Sequence, residues 1–301
     1  MSVLNQASDG QFNILITLAR ASVRFGSRPR TELLALCGAG VEGFDAGKLN
    51  STLLRWTELG LFESVDGTVA LSAPYRSRLG KDASQAEARL PSIAREIVLQ
   101  ADNNLRFWEP EENKSADLTR ALSWILAQDV YTIDTSSHPK VQALETLQIP
   151  DLSKRVVQND VRWTGLRAWM SYLGFGREGH TFTIDPTVAL RDAIIDIFDD
   201  PAPLPARDFL TKLAELLPIV DKGSYRLRVE EVLRGAAWTA PDDNRLSTSL
   251  SRAIQRLVHS GELAIEQRAD AEDGLQLTGA NERVWRSFTH IWRPAQSVGG
   301  R

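Results

Sequence analysis

Apolar residues recur along this chain at two distinct periods, and the order in which the periods alternate predicts its architecture. From Asp45 onward, Leu49, Leu53, Trp56 and Leu59 fall at three- and four-residue steps, a spacing that lays one continuous stripe along a helix. Asp45 is placed to cap that helix and Gly60 to end it. Two short strand-like runs follow, Leu61 to Glu63 and Thr68 to Ser72, around Asp66-Gly67. That dipeptide favours a tight hairpin because both residues tolerate positive φ.

The same sequence of periods returns twice. Asp160 opens a stripe of Trp163, Leu166, Met170 and Leu173, stopped by Gly174 and followed by a turn at Arg177-Glu178-Gly179-His180 leading into Thr181 to Ile184. Asn244 opens a third, with Leu246, Leu250, Ile254 and Leu257, Gly261 as the stop, and a longer ribbon from Leu263 through Asp270 to Gly274 and on to Leu277. Each ending is preceded by two candidate helices: Gln11 to Phe25 and Arg30 to Cys37; Ser115 to Gln128 and Pro139 to Thr146; Pro205 to Leu217 and Ser224 to Leu233. Val130 to Ile133 reads as a small strand between the helices of the middle set. A further helix is expected after each ending, at Gln85 to Leu105, Thr187 to Phe198 and Asn281 to Ile291. The Pro- and acid-rich stretches 107–114 (FWEPEENK) and 198–205 (FDDPAPLP) read as linkers.

Helix, helix, helix and hairpin is the pattern of a winged helix-turn-helix, and these three stretches resemble that family. The expected fold is mainly α with small β-wings, three tandem winged modules joined by helical linkers. The boundaries fall at 1–80, a helical linker at 81–113, 114–200 and 201–301. The resemblance implies DNA binding, because the third helix of such a module fits the major groove and the wing tracks the neighbouring backbone. By position the outward candidates are Lys48, Asn50, Ser51, Thr52 and Arg55; Asn159, Arg162 and Arg167; and Arg245, Thr248, Ser249, Arg252, Gln255 and Arg256. Arg177, His180 and Arg268 are the corresponding wing residues. Trp56, Trp124, Trp163 and Trp169 lie on or beside the apolar stripes and read as core.

Composition narrows the chemistry. Of 301 residues, 43% are hydrophobic and 25% charged, the balance of an ordinary globular protein, and the net charge is −4. Charge runs +1 over residues 1–80, −3 over 81–158, −3 over 159–222 and +1 over 223–301, so any DNA contact must come from a few placed side chains and not a basic tail. There is no apolar run of membrane-spanning length and no signal-peptide pattern, which makes the cytoplasm the expected compartment. The single Cys37 excludes an internal disulfide, and the four His residues match no metal-ligand spacing. Gly43 to Lys48 superficially suggests a phosphate loop. Only three residues separate Gly43 from the Gly47-Lys48 pair, Glu42 stands where the first Gly belongs and Leu49 replaces the magnesium-binding hydroxyl. No catalytic constellation, metal or cofactor is expected.

The opening MSVLNQASDG, followed by the first winged stretch in a three-module layout, resembles the DpdG family. These are accessory components of bacterial gene clusters that insert 7-deazaguanine bases into DNA and restrict unmodified invaders. The resemblance implies a non-catalytic role in DNA modification and antiviral defence, with double-stranded DNA and other subunits of the same system as partners and no known catalytic residues to carry over. Set against direct DNA binding is a scaffold role, in which tandem winged helices grip a protein partner, as in accessory subunits of chromosome-organising complexes.

Overall fold

The computed structural model describes residues 3–4, 12–43, 45–109, 113–199, 202–269 and 274–295. Among them the chain is mainly helical, with short strands gathered into small open sheets. It divides into two compact units: Met1–Thr119 with Val156–Leu173, and Arg120–Arg155 with Gly174–Arg301.

The first unit is built around α1 (Phe12–Phe25), which buries Ile14, Leu15, Leu18 and Ala19 along one face. Next come β1 (Arg28–Pro29), α2 (Arg30–Leu36) and α3 (Ala46–Glu58). The Asp45 carboxylate accepts the Lys48 N–H at 3.1 Å and satisfies one of the free donors at the start of α3, as its position in the sequence implies. Leu49, Leu53 and Trp56 turn inward, and Gly60, at φ +102°, lets the chain leave the helix in a conformation a side chain would strain. β2 (Phe62–Val65) and β3 (Thr68–Leu71) pair antiparallel, and Asp66 and Gly67 between them have φ of 49° and 77°. β1 adds to β3, giving the order β1-β3-β2. α4 (Ala73–Leu79), a helix with no counterpart in the sequence reading, and α5 (Ala83–Leu99) follow, and α5 packs along α1. The phosphate-loop candidate becomes the turn into α3: Gly43 has φ +81°, Ala46 to Lys48 form the first helical turn, and Phe44 lies outside the described residues.

α8 (Asp160–Tyr172) also belongs to this unit. Its cap is Asn159, whose side chain accepts the Arg162 N–H at 2.9 Å. Trp169 meets Trp56 with ring centroids 5.8 Å apart, and Tyr172 stacks on Phe12 at 4.5 Å, so the tryptophans on these stripes are core. The Leu173 carbonyl accepts a hydrogen bond from the buried Arg95 Nη1 at 2.8 Å. At the other end of the unit, the Val3 and Leu4 amides donate to the buried Asp117 carboxylate at 3.2 and 2.8 Å. Phe107, in the stretch read as a linker, is buried; 110–112 lie outside the described residues.

α6 (Ala116–Leu126) contributes residues to both units. In the second unit it is followed by α7 (His138–Gln148), and the pair is joined by a buried amide chain: Trp124 Nε1 donates to Gln148 Oε1 and Gln148 Nε2 to Gln128 Oε1, both at 2.8 Å. Residues 130–133 are a turn and not the expected strand. The Asp129 carboxylate accepts from the Tyr131 N–H and the Thr132 hydroxyl, each at 3.1 Å, and this local bonding outcompetes extension. β4 (Gly176–Arg177) and β5 (Thr183–Ile184) make the short second hairpin, and α9 (Thr187–Ile197) follows.

The remainder corrects the sequence reading at several points. β6 (Leu204–Pro205), α10 (Ala206–Leu216), α11 (Ser224–Glu230) and α12 (Thr248–His259) come next, then β7 (Ala264–Glu266), β8 (Leu275–Thr278), β9 (Val284–Phe288) and β10 (His290–Trp292). The helix expected from Asn281 to Ile291 is strand: Asn281 and Glu282 have φ of 55° and 57°, which halts a helix, and the β-branched and aromatic residues that follow suit a pleated surface. β7 does not pair with β8. It pairs with β10, and β8 pairs with β9. The resulting order β6-β10-β7 repeats β1-β3-β2, with the β8–β9 hairpin inserted between its last two strands. α12 begins at Thr248 and not at Asn244, because Asn244 to Leu246 exchange backbone hydrogen bonds with Gln276 and Ser247 becomes the cap. Both α10 and α12 pack on α9, so α9, read from the sequence as a trailing helix, holds the position in this unit that α1 holds in the other.

These contacts rank two glycine substitutions. At Gly174 (φ +84°) a Cβ would lie 2.9 Å from the Ala189 backbone nitrogen, whereas at Gly60 nothing lies within 4 Å. Gly60→Ala is expected to cost about 1 kcal/mol from backbone strain alone and Gly174→Ala about 2 to 4 kcal/mol from strain plus collision, read as a shift in denaturant midpoint. Equal midpoints for the two variants would contradict the close approach of α9 to Gly174.

Candidate nucleic-acid interface

The side chains picked out on the third helices divide sharply between inward and outward roles. On α3, Lys48 pairs with Asp45 at 3.7 Å, and the Ser51 and Thr52 hydroxyls donate back to the Lys48 carbonyl at 3.1 and 2.8 Å. Asn50 Oδ1 accepts from Arg30 Nε at 3.1 Å. Arg55 is only 7% exposed and belongs to the interior. The exposed positions of α3 are Ala46, Gly47, Leu54 and Glu58, and the Lys48 side chain is half-exposed.

On α8, Arg162 Nη1 donates to the Val156 carbonyl at 3.3 Å, and Arg167 lies over the Trp163 ring at 5.8 Å. Both are half-buried, engaged with their own helix or the chain leading into it.

α12 is the most deeply buried of the three, with Gln255 and His259 as its exposed positions. Ser249 is buried, with its hydroxyl donating to the Leu126 carbonyl at 2.7 Å, and Thr248 accepts from the Val130 N–H at 3.0 Å. These two anchor the start of the helix. Arg245 pairs with Asp242 at 3.4 Å in the approach to it. Gln255 is exposed, and Arg252 and Arg256 are half-exposed one turn apart. Arg256 forms an ion pair with Asp185, a buried carboxylate that also takes Arg177 Nε at 2.7 Å and the Thr187 N–H at 3.1 Å. Asp185 therefore ties the second hairpin, the start of α9 and the outer face of α12 together. Sequence reasoning missed it. The signal was available in Asp185-Pro186-Thr187, an acid set just ahead of a helix start.

Among the wing residues, His180 is exposed, Arg177 is committed to Asp185, and Arg268 pairs with Glu266 at 3.2 Å. The α3 and α8 candidates belong to the first unit and the α12 set to the second. Cys37 is buried, and burial pushes its thiol up to about 11, so it stays protonated at neutral pH and serves as core. Among the described residues no group of three or more His, Cys, Asp or Glu is placed to hold a metal ion, and no helix is long and apolar enough to cross a membrane.

The turn that ends α12 is fixed by a forked ion pair. Arg191 Nε and Nη2 reach Glu262 at 2.5 and 2.9 Å, and the Ser260 hydroxyl donates to the same carboxylate at 2.7 Å. Arg191 holds the Glu262 carboxyl below its usual range. A carboxyl depressed in the folded state contributes stability that is present above its unfolded value near 4.5 and is lost as pH falls through the folded value. Acid titration of the unfolding midpoint should therefore show a loss below about pH 4.5 that is smaller in Glu262→Gln than in the unaltered chain. Identical acid profiles would mean that the pair adds nothing.

A protein-family model described as DpdG-like matches residues 1–271. No curated protein and no solved structure matches the chain.

Proposed function

The chain belongs to the DpdG-like family, and we propose that it is a non-catalytic accessory protein that binds double-stranded DNA, within the cytoplasm, as part of a bacterial DNA-modification and defence system together with other subunits of that system. The reading treats the three helix-and-hairpin stretches as winged helix-turn-helix modules. Support is fullest for the first and third, in each of which a strand ahead of the helices pairs with the last strand that follows them, in the orders β1-β3-β2 and β6-β10-β7; the third has three helices after its first strand where the first has two. The second is divided between the two units, its third helix α8 falling in the first and the hairpin of two-residue strands β4 and β5 in the second.

One observation carries the DNA reading: α12 turns Arg252 and Gln255 outward while its apolar stripe is wholly buried. A half-exposed guanidinium and an exposed amide one turn apart are groups that can hydrogen-bond base edges and phosphates in a groove. Arg256 is assigned a different role, holding the helix to Asp185. Ser249 and Arg55, being buried, are left out of the contact set.

A second reading is favoured by α3. Its polar groups are spent on its own framework, while Leu54 is 39% exposed and Val65 of the adjoining hairpin is exposed as well. Such a face suits a protein partner, in keeping with a scaffold role for the first unit.

Binding of a labelled duplex, measured by fluorescence anisotropy across a salt series, separates the readings. For Arg252→Ala the expected result is a several-fold weaker affinity and a log–log salt slope reduced by about one. Salt-insensitive binding, or an unchanged slope in a folded Arg252→Ala variant, would transfer the assignment to the scaffold.

A further inference from the structure

The hairpin inserted between β7 and β10 carries a feature that groove binding by α12 does not use. β9 is exposed at Val284, Trp285 and Arg286. Trp285 is 38% exposed, and its ring meets that of Tyr131, 37% exposed, edge-on at 5.9 Å between centroids. Two large aromatic side chains paired at the surface leave part of each ring open to a ligand.

Both rings are positioned from behind. The Trp285 indole lies against Gly279, where an added Cβ would come within 2.0 Å of Nε1, so this glycine leaves the space that the ring fills. Tyr131 is held by the Asp129 turn. Arg252 lies one turn along α12 from Thr248, whose hydroxyl accepts the N–H of Val130, the residue before Tyr131, at 3.0 Å. A cavity of about 610 Å³ adjoins the pair, lined by Asp129 and Thr132 on either side of Tyr131, by Thr278 and Glu282 on either side of Gly279, and by Thr248 at the start of α12. Its walls are mixed polar and apolar, and its size is that of a small-molecule site.

We propose that Tyr131, Trp285 and Arg252 form a platform on which an unpaired base of single-stranded DNA stacks, with the adjoining cavity giving room for a base turned out of a strand. The proposal rests on the DNA reading of α12 and extends it. The chemistry matches on three counts. Exposed aromatic faces take up bases of any sequence, a neighbouring guanidinium meets both the base face and the phosphate, and a polar cavity receives the donors and acceptors of a base edge. Arg283, exposed ahead of Trp285, adds a second cation; of the charges lining the cavity, Asp134 pairs with Lys140 and Asp242 with Arg245, and Asp129 and Glu282 add negative charge that disfavours a phosphate inside it.

The experiment compares a labelled single strand and the matching duplex by anisotropy, using the full chain. In the Tyr131→Ala/Trp285→Ala double variant the single-strand affinity is expected to fall tenfold or more, with duplex affinity unchanged within about twofold. Trp285→Phe, which keeps a π-face, should restore most of the single-strand binding. Gly279→Ala, which displaces the indole without removing it, should reproduce the loss. Thermal unfolding of each variant reports whether it is folded, and Trp285→Phe serves in place of any that is not, since its binding follows the ring and not the packing. Failure of the unaltered chain to bind the single strand while it binds duplex, full single-strand binding by the double variant, or parallel loss of both affinities would each overturn the platform and leave α12 standing. Binding of neither DNA would overturn the DNA reading itself, and the platform with it.

Discussion

The orientation of α12 depends on the burial of one apolar stripe. Leu250, Ala253, Ile254 and Leu257 are almost completely removed from water, and α9 is the helix they pack upon. Each large member of such a stripe contributes roughly 1.5 to 3 kcal/mol, so turning the helix by a single residue position would expose several of them at once. That cost sets which side chains look outward. Arg252 and Gln255 reach solvent because the stripe cannot, and Ser249 is committed to the Leu126 carbonyl for the same reason. In the first unit Leu49, Leu53 and Trp56 impose the same constraint on α3, packed on α1. The strands beside these helices run from two to five residues, too short to stand as free ribbons, and they persist because the helix behind them is anchored.

Electrostatics then trims the surface that packing leaves. A chain with net charge −4 has few cations to spare, and most of those on the predicted faces are neutralised locally: Lys48 by Asp45, Arg245 by Asp242, Arg256 and Arg177 by the buried Asp185. Pairing of this kind costs little on an exposed helix and considerably more to undo at a buried carboxylate. Asp185 therefore acts as a structural pin, and the affinity assigned to α12 is concentrated in the few groups not drawn into the framework.

The sequence was legible where caps, stops and apolar stripes act locally, though the local Asp129 turn was read as a strand. Asp45, Gly60, Asp66-Gly67 and the apolar stripes act within a few residues of themselves, and the cap, the stop, the hairpin and the buried faces all lie where those residues imply. It was not legible where long-range pairing decided. Nothing within 281–291 reveals that His290 to Trp292 would enter between β6 and β7, and a short apolar run with aromatics reads as helix or strand equally well. Asn244 resembles a cap, but its carbonyl accepts the Gln276 N–H at 2.8 Å as part of the bridge between Arg245 and Gln276. The site suffered in the same way. Helical spacing placed Ser249 and Arg55 on outward faces, but only the tertiary environment shows that these residues are buried, and no local pattern brings Tyr131 and Trp285 together from segments so far apart in sequence.

That last grouping follows from how the sheet of the second unit is built. In the first unit β2 and β3 close through two residues, and the turn has no room for anything but its own geometry. In the second, β7 and β10 are equivalent to them in pairing order, yet the chain between them makes a hairpin of its own before returning. An insertion at that point leaves the register of β6, β10 and β7 intact, because its ends are held by the ladder on either side. It is also anchored to the start of α12 through the bridge to Gln276. A scaffold arranged in this way can carry a surface such as the Trp285 face without disturbing the helix that the core has already oriented, which is the usual reason that binding groups are found on loops and insertions set into a rigid frame.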